Sequence, residues 1–193
     1  NCDAIARKLG DALCAPIVPF VPEGNLEPKS GHMTTMGTIS IREETFNALL
    51  SDIVMSMKQH GFEHIILIGD SGGNVRGMTA VAEEYTKEWA GKPTVAHVRE
   101  HYDYASATKF AIAQGLIPAG TKSDGLHDDP VITMNMMVTD PNAVRWAGRV
   151  KAGKASINGV SIADKDKAIA IGKQIVEFRA TTTAEAIRKA RGH

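Results

Sequence analysis

The feature that most constrains the fold is a short aliphatic run that ends in a glycine-rich turn. Residues 64–68 read His-Ile-Ile-Leu-Ile, a pattern typical of a strand buried on both faces of a parallel sheet. The next six residues, 69–74, read Gly-Asp-Ser-Gly-Gly-Asn and predict a turn. Apolar residues at helical spacing over 75–89 then predict a helix. A strand, a tight turn and a helix in this order indicate an α/β fold.

The rest of the chain continues the alternation of helical and extended patterns. We expect further helices over 3–13 and 42–60, one long helix or two abutting helices over 161–189, and partly helical structure over 102–115. Further strands are expected over 15–20 and 94–98. Polar segments rich in Gly and Pro predict surface loops over 21–36 and 117–130. The Met-rich stretch 131–138 is expected to fill an irregular core. We therefore predict a single domain over residues 1–193, a three-layer α/β/α fold with a mostly parallel central sheet.

Charge and hydropathy exclude two classes of partner. The 22 Lys and Arg residues balance the 22 Asp and Glu residues, so no net field exists to attract nucleic acid or anionic lipid. The longest apolar runs are too short for a membrane span. We expect a soluble, cytoplasmic protein in which Cys2 and Cys14 are reduced thiols. Because the chain begins at Asn1 and at once shows a helical pattern, we also expect residues to be missing before it.

The glycine turn is the best candidate for a functional site. In open α/β sheets ligands bind beyond the carboxyl ends of strands, against the free amides of the next helix. Gly72 and Gly73 would let a ligand approach the backbone closely, although the same glycines could serve only a tight turn. Asp70, Ser71 and Asn74 favour the functional interpretation, because a turn alone does not require these side chains.

Three chemistries fit this turn. The pattern Gly-x-Ser-x-Gly makes Ser71 a candidate nucleophile, with Asp128 or Asp129 as the acid, but no suitable histidine follows them in the sequence. Alternatively, Asp70 could share a metal ion with His127 and the two aspartates. For Asp129 we favour a helix-capping role, because Pro130 follows it. The third option is anion binding by the turn amides, which the charge of Asp70 disfavours.

Several motifs in the chain resemble those of the creatininase (creatinine amidohydrolase) family. That family carries approximately E-H-x-x-F-P-G-T-I-S-L, N-G-H-G-G-N after a strand, and later H-A-G-x-x-E-T. The corresponding segments here are Gly31-His32-Met33, Gly37-Thr38-Ile39-Ser40-Ile41, Gly69 to Asn74, and His127 to Thr133. The resemblance covers nearly the whole chain.

This resemblance implies hydrolysis of amide C–N bonds at a one- or two-metal centre of zinc or manganese, in a homo-oligomer that is often a hexamer. The chain departs from the family pattern at two ligand positions. Ser71 replaces a histidine, and Ile132 replaces a glutamate. A third family motif either would precede Asn1 or is absent. The chain therefore resembles a divergent member with substituted ligands, and Asp70 is a carboxylate that could take part in a remodelled centre.

We predict a metal-dependent amidohydrolase that acts on a small molecule. Asp70, Ser71 and His127 are the catalytic candidates, with Asp70 and His127 also the metal-ligand candidates. We expect substrate binding by four further residues: His32, Gly72, Gly73 and Asn74. The alternatives are a non-catalytic relative that has lost the metal and binds a small molecule or serves in an assembly, and, third, a serine hydrolase that uses Ser71.

Overall fold

The computed structural model describes residues 1–122 and 129–192. Its α-helices are α1 (Cys2–Leu9), α2 (Glu43–Gln59), α3 (Asn74–Glu88), α4 (Tyr104–Ala113), α5 (Pro130–Thr139), α6 (Trp146–Lys151) and α7 (Lys165–Ala190). Its strands are β1 (His64–Leu67), β2 (Thr94–His97), β3 (Ser156–Ile157) and β4 (Val160–Ser161). Most predicted helices and both central strands are therefore present, with boundaries shifted by a few residues.

The chain divides into two compact units. Unit 1 comprises residues 1–11 and 103–182, and unit 2 comprises residues 12–102 and 183–193. The division falls within α7. The expectation of a single domain stays a prediction.

Unit 2 contains the parallel strand pair that the sequence predicts. β1 pairs with β2 in register from His64 opposite Thr94 to Leu67 opposite His97. Ile65 and Leu67 are buried, whereas Ile66 between them is only partly buried, so the expectation of a strand buried on both faces is wrong. The core beside the pair comes from α2 and α3: Phe46, Leu50, Val54, Met78 and Val81. Apolar burial of this kind holds the end of β1, and hence the turn, in place.

Unit 1 is built mainly from helices. Met134 and Met137 of α5 are fully buried, which confirms that the Met-rich stretch fills a core. Gly172 of α7 allows a close approach, because a Cβ atom there would lie 2.1 Å from the carbonyl oxygen of Met134. β3 and β4 form an antiparallel hairpin that the sequence analysis missed. Asn158 and Gly159 have positive φ angles, as a two-residue hairpin turn requires.

Two further expectations are wrong. Residues 15–20 form no strand, and Ile17 is 87% exposed. Prolines at 16 and 19 remove two backbone donors that a strand would use.

Helix α1 ends at Leu9 because Gly10 adopts a left-handed conformation with φ of 84°. Neither Cys2 nor Cys14 is a free thiol, since both are disulfide-bonded, and so the expectation of reduced thiols is also wrong.

None of the helices in the described part of the chain is both long enough and apolar enough to cross a membrane.

Candidate active site

Gly72 and Gly73, the adjacent glycines of the turn, have different surroundings. A Cβ atom on Gly73 would lie 2.0 Å from the carbonyl oxygen of Pro22, a backbone atom that cannot rotate away. A Cβ atom on Gly72 would come no closer than 3.7 Å to any other residue, its nearest neighbour being the hydroxyl of Tyr102. Gly73 is therefore required for the loop at Pro22 to pack on the turn. Gly72 is exposed and leaves space above the backbone.

Asn74 begins α3 with a buried side chain. It is 8% exposed, and its Oδ1 atom has no hydrogen-bond partner among the described residues. A Cβ atom on Gly69 would lie 3.1 Å from its Nδ2 atom, so the carboxamide packs closely over the start of the turn. A buried acceptor without a partner is costly to folding. The described residues therefore leave this acceptor unsatisfied.

The other two polar residues of the turn differ in exposure. Ser71 is 9% exposed, and its Oγ atom accepts a hydrogen bond from the Gly73 N–H at 3.4 Å. No histidine among residues 1–122 and 129–192 hydrogen-bonds to that hydroxyl, so the described structure supplies no base for it. Asp70 is exposed at the start of the turn. The catalytic roles of both residues stay predictions.

The loop over residues 21–41 holds a carboxylate against an imidazole. Nδ1 of His32 lies 2.6 Å from Oε2 of Glu23, and the His32 backbone N–H donates to the Glu23 carbonyl at 2.8 Å. The Glu23 side chain is 19% exposed and that of His32 is 51% exposed. The carboxylate thus lies behind a ring that solvent reaches.

A serine hydroxyl and two glycines fix the shape of this loop. The buried Ser40 Oγ accepts from the Glu23 N–H at 2.9 Å and donates to the Gly24 carbonyl at 2.8 Å. Gly24 and Gly31 both have positive φ, and a Cβ atom on Gly24 would lie 1.9 Å from the Ser30 carbonyl oxygen. The sequence analysis expected a surface loop here but missed Glu23. The glycines that follow Glu23 and precede His32 were the available signal, because they allow the two segments to meet.

The later acidic segment is only partly described. His127 and Asp128 lie outside the described residues, so their predicted roles and a shared cleft with Asp70 stay predictions. Asp129 caps α5, and its Oδ1 atom accepts from the Ile132 N–H at 3.0 Å. This confirms the capping role. Thr133 is buried one helical turn further on.

The donor set that the structure describes does not fit a metal ion. Within residues 1–122 and 129–192, no three His, Cys, Asp or Glu side chains are grouped so that they could hold one. Asp70 contributes a single carboxylate, and His32 Nδ1 is engaged with Glu23.

Two further histidines in unit 2 have internal hydroxyl partners. His97, at the end of β2, has Nδ1 2.8 Å from Thr79 Oγ1. Burial, followed by the charge of Arg99, lowers the pKa of His97 below its ordinary value. His101 is buried with Nδ1 3.3 Å from Thr183 Oγ1. These contacts give both histidines structural roles.

A comparison with known protein families matches residues 1–187 to the creatininase family, described as creatinine amidohydrolase. The chain belongs to the creatininase family. Among solved structures it is similar to a creatinine amidohydrolase (creatininase), with a TM-score of 0.67 and 19% sequence identity over 97% of this chain and 78% of that chain. At this identity the likeness shows the fold alone, and it confirms the predicted creatininase-like α/β fold. A comparison with curated proteins finds no match.

Proposed function

We propose that this creatininase-family protein hydrolyses an amide-type C–N bond, cyclic or linear, in a small molecule. Family membership supports the class of reaction. The observation that carries the proposal for this chain is the buried Oδ1 atom of Asn74, which has no hydrogen-bond partner among the described residues and lies in a turn that Gly72 leaves open. An amide substrate supplies the N–H that this atom would accept.

The position of Asn74 suits the reaction. It is the first residue of α3, at the helix end where the dipole favours developing negative charge. A substrate amide whose N–H is held by Asn74 would place its carbonyl near that end. Stabilisation of an oxyanion by fixed dipoles is a large contribution in acyl transfer. In this proposal Asp70, Ser71 and His127 are further catalytic candidates, and His32, Gly72 and Gly73 contact the substrate.

Dependence on zinc or manganese is a separate part of the proposal. It comes from the family resemblance and requires Asp70 together with His127. Elemental analysis of protein purified without added metal, followed by assay with each metal, tests it. A metal content far below one equivalent, with no activation by either metal, would contradict this part.

We also propose that the protein forms a homo-oligomer, a hexamer by the same resemblance. Light scattering measures the mass of the assembly and tests this proposal.

The test of the main proposal is a hydrolysis assay with a matched pair of variants. Purified protein is incubated with creatinine, hydantoin, dihydrouracil and a simple primary amide, and products are followed by mass spectrometry. We expect hydrolysis of at least one, and Asn74→Ala should lower kcat/KM about 10- to 100-fold because a buried hydrogen bond is lost. Asn25→Ala, an exposed amide in the 21–41 loop, should leave it unchanged.

The result also separates the alternatives. Binding of a small amide without turnover in every condition would favour a non-catalytic relative. Covalent labelling of Ser71 by a fluorophosphonate would favour a serine hydrolase. Equal activity of Asn74→Ala and the unmodified protein would contradict the role given to Asn74.

A further inference from the structure

We infer that Glu23 is a positioning residue, which holds the His32 ring in one orientation and one tautomer so that Nε2 acts as the proton acceptor for the attacking water. The inference rests on the proposed amide hydrolysis for its chemical step. Its structural part stands on the Glu23–His32 contact alone.

The contact determines where the ring proton lies. A neutral imidazole carries one N–H, and an ionised carboxylate can only accept a hydrogen bond. Because Glu23 Oε2 lies 2.6 Å from Nδ1, the proton of the neutral ring lies on Nδ1. The lone pair is then on Nε2, the atom that can take a proton from water.

The carboxylate is more buried than the imidazole, as is expected when an acid orients a ring that exchanges protons with solvent. The carboxylate is 19% exposed and the imidazole 51% exposed, so the orienting group lies inward and the ring that exchanges protons is open to solvent. The arrangement therefore points to the chemistry of the ring.

The backbone holds Glu23 before any ligand arrives. Its N–H donates to Ser40 Oγ, and its carbonyl accepts from the His32 N–H. Gly24 and Gly31 make room for these contacts. The acid and the ring are thus linked through main chain as well as side chain, and a fixed geometry reduces the reorganisation needed in the reaction.

The same loop touches the glycine turn. Pro22, which precedes Glu23, has its carbonyl oxygen at the place where Gly73 lacks a Cβ atom. Both the turn and the loop belong to unit 2. The loop that carries the Glu23–His32 pair therefore packs against the turn at Pro22.

The step balances without another reactant. Water gives a proton to Nε2 of His32 while its oxygen bonds to the amide carbon, and the carbonyl oxygen becomes an oxyanion. When the C–N bond breaks, the leaving nitrogen takes the proton from Nε2. The products are a carboxylic acid and an amine, and Glu23 stays ionised and stabilises the imidazolium in between.

The first test reads the tautomer and needs no substrate. In protein labelled with ¹⁵N-histidine, long-range ¹H–¹⁵N spectra recorded over a series of pH values should show the neutral form of His32 with its proton on Nδ1. The ring signals of His32 are assigned as those that are missing from the spectrum of the His32→Gln variant. Glu23→Leu should convert the ring to a tautomer mixture, whereas Glu27→Leu, an exposed acid in the same loop, should not. A proton on Nε2 in the unmodified protein would overturn the inference even if Glu23→Leu fails to fold.

The second test uses whichever amide the hydrolysis assay identifies. Glu23→Leu should lower kcat about 10- to 100-fold with little change in KM, Glu23→Asp should recover part of the loss, and Glu27→Leu should match the unmodified protein. The double variant Glu23→Leu/His32→Gln should have the same kcat as His32→Gln alone, because Glu23 acts only through the His32 ring. If the losses in kcat of the two single variants multiply in full in the double variant, the inference is overturned. If no amide is hydrolysed, the proposed function fails, and the tautomer test still decides whether Glu23 positions His32.

Discussion

The core around α5 and the loop around Glu23 are both tightly packed, but by different means. In unit 1, Met134 and Met137 fill space with apolar side chains, and one glycine admits the neighbouring helix. In unit 2, the loop over 21–41 is held by hydrogen bonds to Ser40 and by glycines that admit backbone carbonyls. An apolar core such as the one around α5 can accommodate a change in one side chain by shifts in its neighbours. The loop over 21–41 depends instead on individual hydrogen-bonding atoms. The Glu23–His32 pair lies in the hydrogen-bonded loop.

The largest expected effect tests the apolar side of this comparison. Met134→Ala should lower the free energy of unfolding by about 2–5 kcal/mol, because a fully buried side chain is replaced by a cavity. Urea denaturation measures it. Met136→Ala is the matched control on the same helix, 42% exposed, and should change stability by less than about 0.5 kcal/mol. Similar losses for the two variants would mean that α5 does not bury the face described.

A second pair of variants tests the loop side. Gly73→Ala should destabilise the protein by about 1–3 kcal/mol, because the new methyl group would overlap the Pro22 carbonyl and force backbone to shift. Amide hydrolysis should fall with it. Gly72→Ala meets only Tyr102 at an ordinary contact distance and should fold almost unchanged. If both variants unfold at the same urea concentration, the proposed contact between loop and turn is wrong.

The smallest expected effect concerns pH. The pKa of His97 is lowered in the folded protein by burial and by Arg99, so the unfolded chain binds a proton more readily near pH 6.5. His97 therefore contributes stability that is present above about pH 6.5 and is lost as the pH falls through the lower folded value. His97→Gln, which can still hydrogen-bond to Thr79, should flatten this part of the stability profile. The exposed His60, changed to Gln, should leave the profile as it was.

The sequence predicted most helices and the parallel pair because their signals are local. Helix α2 has apolar residues on one face, and the Asp129-Pro130 pair marks the start of α5. The failed strand over 15–20 shows the limit of this approach, since an apolar run says nothing about whether other segments cover it. Ile17 is almost fully exposed.

The candidate site was predicted less completely than the fold. The polar turn after β1 was identified because its side chains are unusual for a turn and directly follow a strand. Glu23 was missed because its partner is nine residues away along a loop with no regular period. The positive φ angles of Gly24 and Gly31 let the two segments meet, and these glycines were a signal that no periodic side-chain pattern reinforced. That Ser71 and Ile132 stand at substituted ligand positions is a prediction from the family resemblance alone.

Ser40 offers a way to perturb His32 without altering either ring or carboxylate. One hydroxyl joins the two halves of the loop, since it accepts from Glu23 and donates to Gly24. Ser40→Ala would cut both links at once and leave every atom of the Glu23 and His32 side chains in the chain. The Glu23–His32 pair is thus supported from outside by a single oxygen atom, which makes this position the natural point at which to loosen the loop.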